Sequence, residues 1–340
     1  MNERERDPTR RAASDTDGSA DESYRREGSR PVTDGGDVDA DELADHQTHL
    51  EGRGIYDERN RLNDLTGREW KFATKSVITE RYPPDVQHDL RSEHGGQKPP
   101  RLCADLIERF SKAGDRVLDP FAGVGGTLLG ASFCEHEGTG LREAIGFERT
   151  ARWIEIYETV LERENDERRE CGDAPLAAQD LRHGHCAELI DEIDDGSIDL
   201  LFTDVPFWHM DELEQTRNRA EVRESKLDSF DESTDGPAAW PDKDDWLADM
   251  GSWFDRFEDA LAPGGYAVVF IGDMYREQSY EFLSADLART LEAETPLTLK
   301  ANLIWYDPLK DLHVYGYPYA FVPSMVHQNV LVFRTEADTK

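Results

Sequence analysis

The sequence predicts an α/β fold: an open, mostly parallel sheet, doubly wound, with helices on both faces. Three observations predict it. Short apolar runs alternate with amphipathic stretches from Arg116 to Phe333, the pattern of repeated strand–helix–strand units. Val117-Leu118-Asp119 leads straight into a glycine-rich turn and then a helical segment from Thr127. With 37% hydrophobic residues among 340, the chain can bury the core of one large α/β domain or two small ones.

Each element has its own signal. Residues 1–45 are Asp, Glu, Arg, Ser and Gly with almost no large apolar side chain, which predicts a disordered acidic tail ahead of a folded unit spanning 46–335. Order is expected from about Gly54-Ile55-Tyr56, with Trp70-Lys71-Phe72 as the first packed segment. Leu102, Leu106, Ile107 and Phe110 recur at helical spacing behind a Pro99-Pro100 start. Gly114-Asp115 turns the chain into the strand Arg116–Leu118, and Thr127–Phe133 continues as helix. Ala144–Glu148 reads as the next strand. The helix from Thr150 to Glu164 sets Trp153, Ile156, Tyr157 and Val160 on one face. Ser197–Thr203 is a further strand, and Trp246–Leu261 an amphipathic helix stopped by Ala262-Pro263-Gly264-Gly265. Tyr266–Ile271, Thr298–Trp305 and Asn329–Phe333 complete the strands. Residues 211–243, polar throughout, are expected to be a long insertion rather than a domain.

Charge is lopsided, with 39 Lys plus Arg against 73 Asp plus Glu, a formal net charge of -34. Only 9 of the basic residues are lysine, a composition suited to a salt-rich cytoplasm. At molar salt the Debye length shrinks to about 3 Å, so a polyanionic partner is compatible with this excess if local arginines face it. The alternative is that the acidity reports a protein partner. Four scattered cysteines without a C-x-x-C pair argue against a zinc site or a disulfide framework. His183, His185 and Cys186 lie close in sequence, but alternating side chains on a strand rarely converge on one ion, so no metal is expected. No apolar run nears the ~20 residues of a membrane helix, and Met1–Arg6 is no signal peptide. The expectation is a cytoplasmic protein.

Two constellations carry chemistry. In Asp119-Pro120-Phe121-Ala122-Gly123-Val124-Gly125-Gly126-Thr127, Gly123 and Gly125 suit a backbone that runs close to a nucleotide-like ligand at the carboxyl edge of the sheet. Glu148, 29 residues after Asp119 and ending the next strand, can accept both hydroxyls of a ribose. The second is Asp204-Val205-Pro206-Phe207 at the end of a later strand.

Together these segments resemble the S-adenosylmethionine-dependent DNA N4-cytosine/N6-adenine (amino) methyltransferases, whose first motif opens Asp-Pro-Phe-x-Gly. Their catalytic tetrapeptide is Asp, Asn or Ser, then Pro-Pro, then an aromatic. The likeness runs from Trp70 to Arg334, taking in Lys98-Pro99-Pro100 before the turn and Tyr315–Pro323 near the end. It implies a Rossmann-like class I methyltransferase fold with an antiparallel C-terminal strand, S-adenosylmethionine as cofactor and double-stranded DNA as partner, with a possible cognate restriction enzyme. Lys98, Pro99, Asp119, Pro120, Phe121, Gly123, Gly125, Thr127 and Glu148 are then the cofactor residues, and the helix N-terminus a seat for the methionine carboxylate. His185 falls where an acid usually meets the adenine. Asp204 and the Val205 carbonyl would accept the two amine hydrogens of an extruded base, Pro206 would stiffen the turn, and Phe207 would stack.

Three departures qualify the likeness: Val205 replaces the first proline, Gly126 a common threonine, and His185 the acid. An RNA base amino-methyltransferase, or a silent homologue that still binds DNA or cofactor, stays open at this point. Candidates for reading the substrate are Arg217, Arg219 and Arg223 in the insertion and the aromatic loop from His313 to His327.

Overall fold

A computed structural model describes residues 43–208, 240, 242–276, 278–312, 314 and 316–335. The expected acidic tail and most of the 211–243 insertion lie outside the described residues.

The described residues open with a hairpin, β1 (Gln47–Leu50) and β2 (Gly54–Asp57). Helix α1 (Gly67–Ala73) starts at Thr66, whose hydroxyl accepts the Glu69 amide while Glu69 accepts the Thr66 amide in return. The hairpin brings order earlier than expected. Trp70 and Phe72 are a correction: α1 buries no residue, and the two rings are 37% and 57% exposed. Strand β3 (Val77–Ile78) and the short helix α2 (His88–Arg91) lead to α3 (Pro100–Phe110), for which Pro100 supplies the preset first turn.

The alternating body follows: β4 (Arg116–Asp119), α4 (Gly126–Glu137), β5 (Glu143–Glu148), α5 (Ala151–Cys171), β6 (Asp180–His183), α6 (Cys186–Leu189) and β7 (Ile198–Asp204). After the insertion come α7 (Lys243–Ala260), β8 (Leu261–Ile271), the ribbon β9 (Met274–Arg276) and β10 (Ser279–Glu281), α8 (Leu283–Glu294), β11 (Thr298–Tyr306) and β12 (His327–Arg334). Strand β8 starts at Leu261 and runs through Ala262-Pro263-Gly264-Gly265, which the sequence reads as a stop; the β7 pairing is irregular there, between Ile198 and Leu200.

The eight-stranded sheet has the order β3-β11-β12-β8-β7-β4-β5-β6. All neighbouring pairs are parallel except those made by β12, which is antiparallel to both β11 and β8. This is the expected doubly wound, Rossmann-like arrangement with an antiparallel C-terminal strand. One face is covered by α7 and α8 through Trp246, Met250, Phe254, Leu287 and Leu291. The other is covered by α3, α4 and α5 through Leu102, Leu106, Leu128, Trp153 and Ile156.

Winding direction positions the site. From β4 the chain steps outward to β5 and β6, then returns to place β7 on the other side of β4. The connections therefore diverge between β4 and β7, and a crevice opens at their carboxyl ends. Asp119 ends β4 and Asp204 ends β7.

Candidate active site at the carboxyl edge of the sheet

Asp119 is a brace rather than a wall of the crevice. It is 3% exposed, and its carboxylate accepts from the Thr127 hydroxyl (2.5 Å), the Thr203 hydroxyl (2.6 Å) and the Phe121 amide (3.1 Å). These three bonds tie the end of β4 to the first turn of α4 and to β7. Burial pushes the Asp119 carboxyl up to about 6, against the pull of its hydrogen bonds.

The turn that follows is set by its own backbone. The Ala122 amide reaches the Phe147 carbonyl at 2.9 Å, and the Gly123 amide reaches Oε2 of Glu148 at 3.0 Å. Oε1 of Glu148 accepts the Thr150 amide at 2.7 Å, so one carboxylate fixes both the glycine turn and the start of α5. Burial pushes Glu148 above the usual carboxylate range, and these amides oppose it. Gly123 adopts φ +51°, where a Cβ would meet His94 Nε2 at 3.0 Å. Gly125 serves another purpose: at φ +72° its missing Cβ makes room for the ring of Tyr157.

The crevice encloses a cavity of about 210 Å³. Pro120, Phe121, Gly123, Glu148 and His185 line one part of it, and Asp204, Val205, Pro206 and Phe207 another. Nine of the sequence-predicted site residues thus meet in one space. Lys98, Pro99, Asp119, Gly125 and Thr127 do not line it. Pro99 precedes α3 as its N-cap, and the Lys98 ammonium is hydrogen-bonded to Oδ2 of Asp204.

Asp204 is the least satisfied group here. Its side chain is 22% exposed overall, yet Oδ1 is buried and has no hydrogen-bond partner among the described residues. Burial pushes its carboxyl up while Lys98 pulls it back. Val205, 1% exposed, packs into the core, and its amide points to the Phe270 carbonyl at 3.4 Å, a bond proline could not donate. The Pro206 carbonyl accepts the Trp246 indole N–H at 2.9 Å. Phe207 lies over Gly272, where a Cβ would come within 3.1 Å of the ring.

His185 caps α6, its Nδ1 accepting the Ala187 amide at 3.2 Å. That bond requires a neutral ring carrying its proton on Nε2, and burial accordingly pulls the His185 pKa down. The acid expected by resemblance is thus replaced by a neutral donor.

Sequence reasoning missed the aromatic wall. Trp253 meets Phe121 (5.8 Å), His185 (5.4 Å) and Trp240 (6.2 Å), and His94 stands edge-on to Trp153 at 5.1 Å. Trp153 was legible only as a core position of its helix. Trp253 sits one residue before the apolar stripe of α7 and could have been singled out as an extra aromatic beside it. His94 carries no sequence signal. Gly126, another departure, is accounted for: a Cβ there would meet the Lys98 carbonyl at 3.1 Å.

The profile of the DNA methylase family matches residues 42–159, which include the glycine turn and Glu148. No curated protein matches the chain. Among solved structures, TrmN from Thermus thermophilus aligns at 14% identity and TM-score 0.39, covering 72% of this chain and 52% of that one. A DNA modification methylase of the same organism aligns at 18% and 0.28, over 45% and 51% of the two chains. An S-adenosylmethionine-dependent O-methyltransferase from Thermotoga maritima aligns at 12% and 0.40, over 86% of both. This chain thus spans about half the length of the two Thermus proteins.

Proposed function

We propose that this chain is a DNA amino-methyltransferase that uses S-adenosylmethionine to methylate the exocyclic amino group of cytosine (N4) or adenine (N6) at a short site in duplex DNA. The observation that carries the reading is Asp204, whose buried Oδ1 has no partner among the described residues and which lines the same cavity as the glycine turn and Glu148. The family match over the first of these motifs supports it. The catalytic unit is taken as residues 46–335.

The cavity suits such a cofactor. Each oxygen of Glu148 keeps a second lone pair after accepting one amide, so the carboxylate can still receive ribose hydroxyls. Trp253 and His185 offer an aromatic face and an N–H for an adenine ring. S-adenosylmethionine, when bound, supplies the methyl group from its sulfonium.

The chain's own contribution is orientation and electrostatics. Asp204 Oδ1 and the Val205 carbonyl accept the two N–H bonds of the target amine and localise its ring-delocalised lone pair. The Trp246 bond to the Pro206 carbonyl fixes the turn that presents them. Phe207 offers a stacking face to a base swung out of its helix. The proton shed by the amine as it is methylated is taken by Asp204 and passed to water.

The test is methyl transfer from labelled S-adenosylmethionine at molar salt to duplex DNA, single-stranded DNA and RNA in parallel. Label in adenine or cytosine of the duplex is expected. Asp204→Ala should abolish it, at least about a hundredfold down, with cofactor binding kept. Label in RNA alone, or a fully active Asp204→Ala protein, overturns the reading.

A further inference from the structure

Lys98 lies 106 residues from Asp204 in sequence, yet its ammonium is hydrogen-bonded to Oδ2 of that carboxylate. The lysine side chain is 8% exposed, and its nitrogen stands 5.4 Å from the centroid of the Phe270 ring. Such a charge is retained in the interior only with a partner and a defined seat. The seat is built on purpose-suited neighbours. The Lys98 carbonyl accepts Nη2 of Arg91, itself 1% exposed, and lies against Gly126, where a Cβ would approach within 3.1 Å. The glycine that departs from the family pattern is therefore what lets the Lys98 backbone close onto the first turn of α4.

We propose that Lys98 is a positioning residue for the amino-group chemistry: it clamps Oδ2 of Asp204 and leaves Oδ1 as the acceptor for the substrate N–H. This rests on the function proposed above, but it assigns Lys98 to the carboxylate rather than to the cofactor. The carboxylate has two oxygens and the target amine needs one. Without the clamp, Asp204 would rotate about its terminal torsion and present either oxygen in turn. A buried carboxyl without a cation would also hold its proton, and a protonated Oδ1 would donate rather than accept.

Among the described residues, four charged or titratable groups act on the pair or its backbone. Asp119 feels Asp204 from β4, Cys103 feels both members from α3, and Lys310 feels Lys98 from the loop after β11. Arg91 approaches through the Lys98 carbonyl. Asp119 and Lys310 oppose the pair's charges, so loss of Lys98 leaves Asp204 facing a like charge on β4.

The experiment compares Lys98→Met and Lys98→Arg with the parent, using protein labelled with ¹³C at the aspartate carboxyls. The Asp204 signal is identified by its loss in Asp204→Asn. In ligand-free protein the Lys98→Met change should move the Asp204 titration upward. In the assay, the acid limb of the kcat profile should move up with it. At neutral pH kcat should fall at least about tenfold, with S-adenosylhomocysteine affinity within about twofold and partial recovery in Lys98→Arg. An unmoved Asp204 titration in a folded Lys98→Met protein overturns the proposal. So does a tenfold loss of S-adenosylhomocysteine affinity with an unchanged pH profile, which would return Lys98 to the cofactor. If the parent transfers no methyl group to any base, the functional reading fails, and the titration still decides whether Lys98 governs Asp204.

Discussion

The ring of Tyr157 on α5 occupies the space a side chain on Gly125 would need: a Cβ there would lie 2.2 Å from its Cδ2. The second glycine of the turn is thus a packing device that seats α5 against α4. Gly123, by contrast, lines the cavity.

Gly125→Ala therefore carries two costs. A non-glycine residue at φ +72° costs about 1–2 kcal/mol, and forcing the Tyr157 ring aside costs about 1–3 kcal/mol more. Denaturant unfolding should give a loss of about 2–5 kcal/mol in all. In a Tyr157→Ala background only the backbone part should remain. Equal costs in both backgrounds would refute the steric account.

Asp119 predicts a pH dependence of stability. Its folded value, about 6, lies above the ordinary 3.8 because it is buried. Between those values the folded state holds a proton that the unfolded chain has released. The stabilisation is fully present below 3.8 and is lost as pH rises through about 6. Asp119→Asn keeps the shape and removes the titration. The stability difference between parent and variant should shift, in the variant's favour, by on the order of 3 kcal/mol as pH rises from 4 to 7. A difference that stays flat over that range would rule out Asp119 as the titrating group.

How far the sequence reached depends on the distance over which each relation is made. The glycine turn, Glu148 and the 204–207 tetrapeptide are short segments whose residue types are set by local backbone demands, and they converge as expected. The brace from Thr203 to Asp119 spans 84 residues and the clamp from Lys98 to Asp204 spans 106, and neither has a local pattern to betray it. Among the elements, β6 was legible only at its end, where His183 reads as part of a strand, because Asp180–His183 is a polar strand at the sheet edge. Helix α8 was legible and overlooked, since Leu283, Leu287 and Leu291 repeat every four residues and are all buried. Trp70 and Phe72 misled because aromatic content alone says nothing about which elements remain to cover them.

Val205 is the departure with the clearest test. Its amide makes a long bond to the Phe270 carbonyl, 3.4 Å, and its side chain is buried. Val205→Pro would restore the family pattern, lose that bond and stiffen the turn. The expected cost is about 1 kcal/mol, a drop of roughly 2–4 °C in Tm. Methyl transfer should stay within about tenfold of the parent, because the carbonyl proposed to accept the amine N–H is retained. Abolished transfer in a folded variant would mean that the valine itself shapes the pocket.

The loop after β11 supplies the last prediction. Strand β12 is antiparallel to both β8 and β11, so β11 runs with β7 and ends at the same edge as Asp204. From there the loop carries Leu312, Val314, Tyr317, Tyr319 and Phe321, each between 77% and 96% exposed. Lys310 at its start is held below its ordinary value chiefly by desolvation, with Asp307 opposing and the Lys98 charge adding. Tyr317 and Tyr319, which the sequence leaves open as core or rim aromatics, are exposed, while Tyr315 lies outside the described residues. Rings this exposed beside the site proposed for an extruded base are suited to stacking on unpaired bases, worth about 1–3 kcal/mol each. Tyr319→Ala and Phe321→Ala should each weaken DNA binding by that amount in a fluorescence titration at molar salt. Tm should stay unchanged, since neither ring is packed. Unaltered affinity in the double variant would remove the loop from substrate recognition.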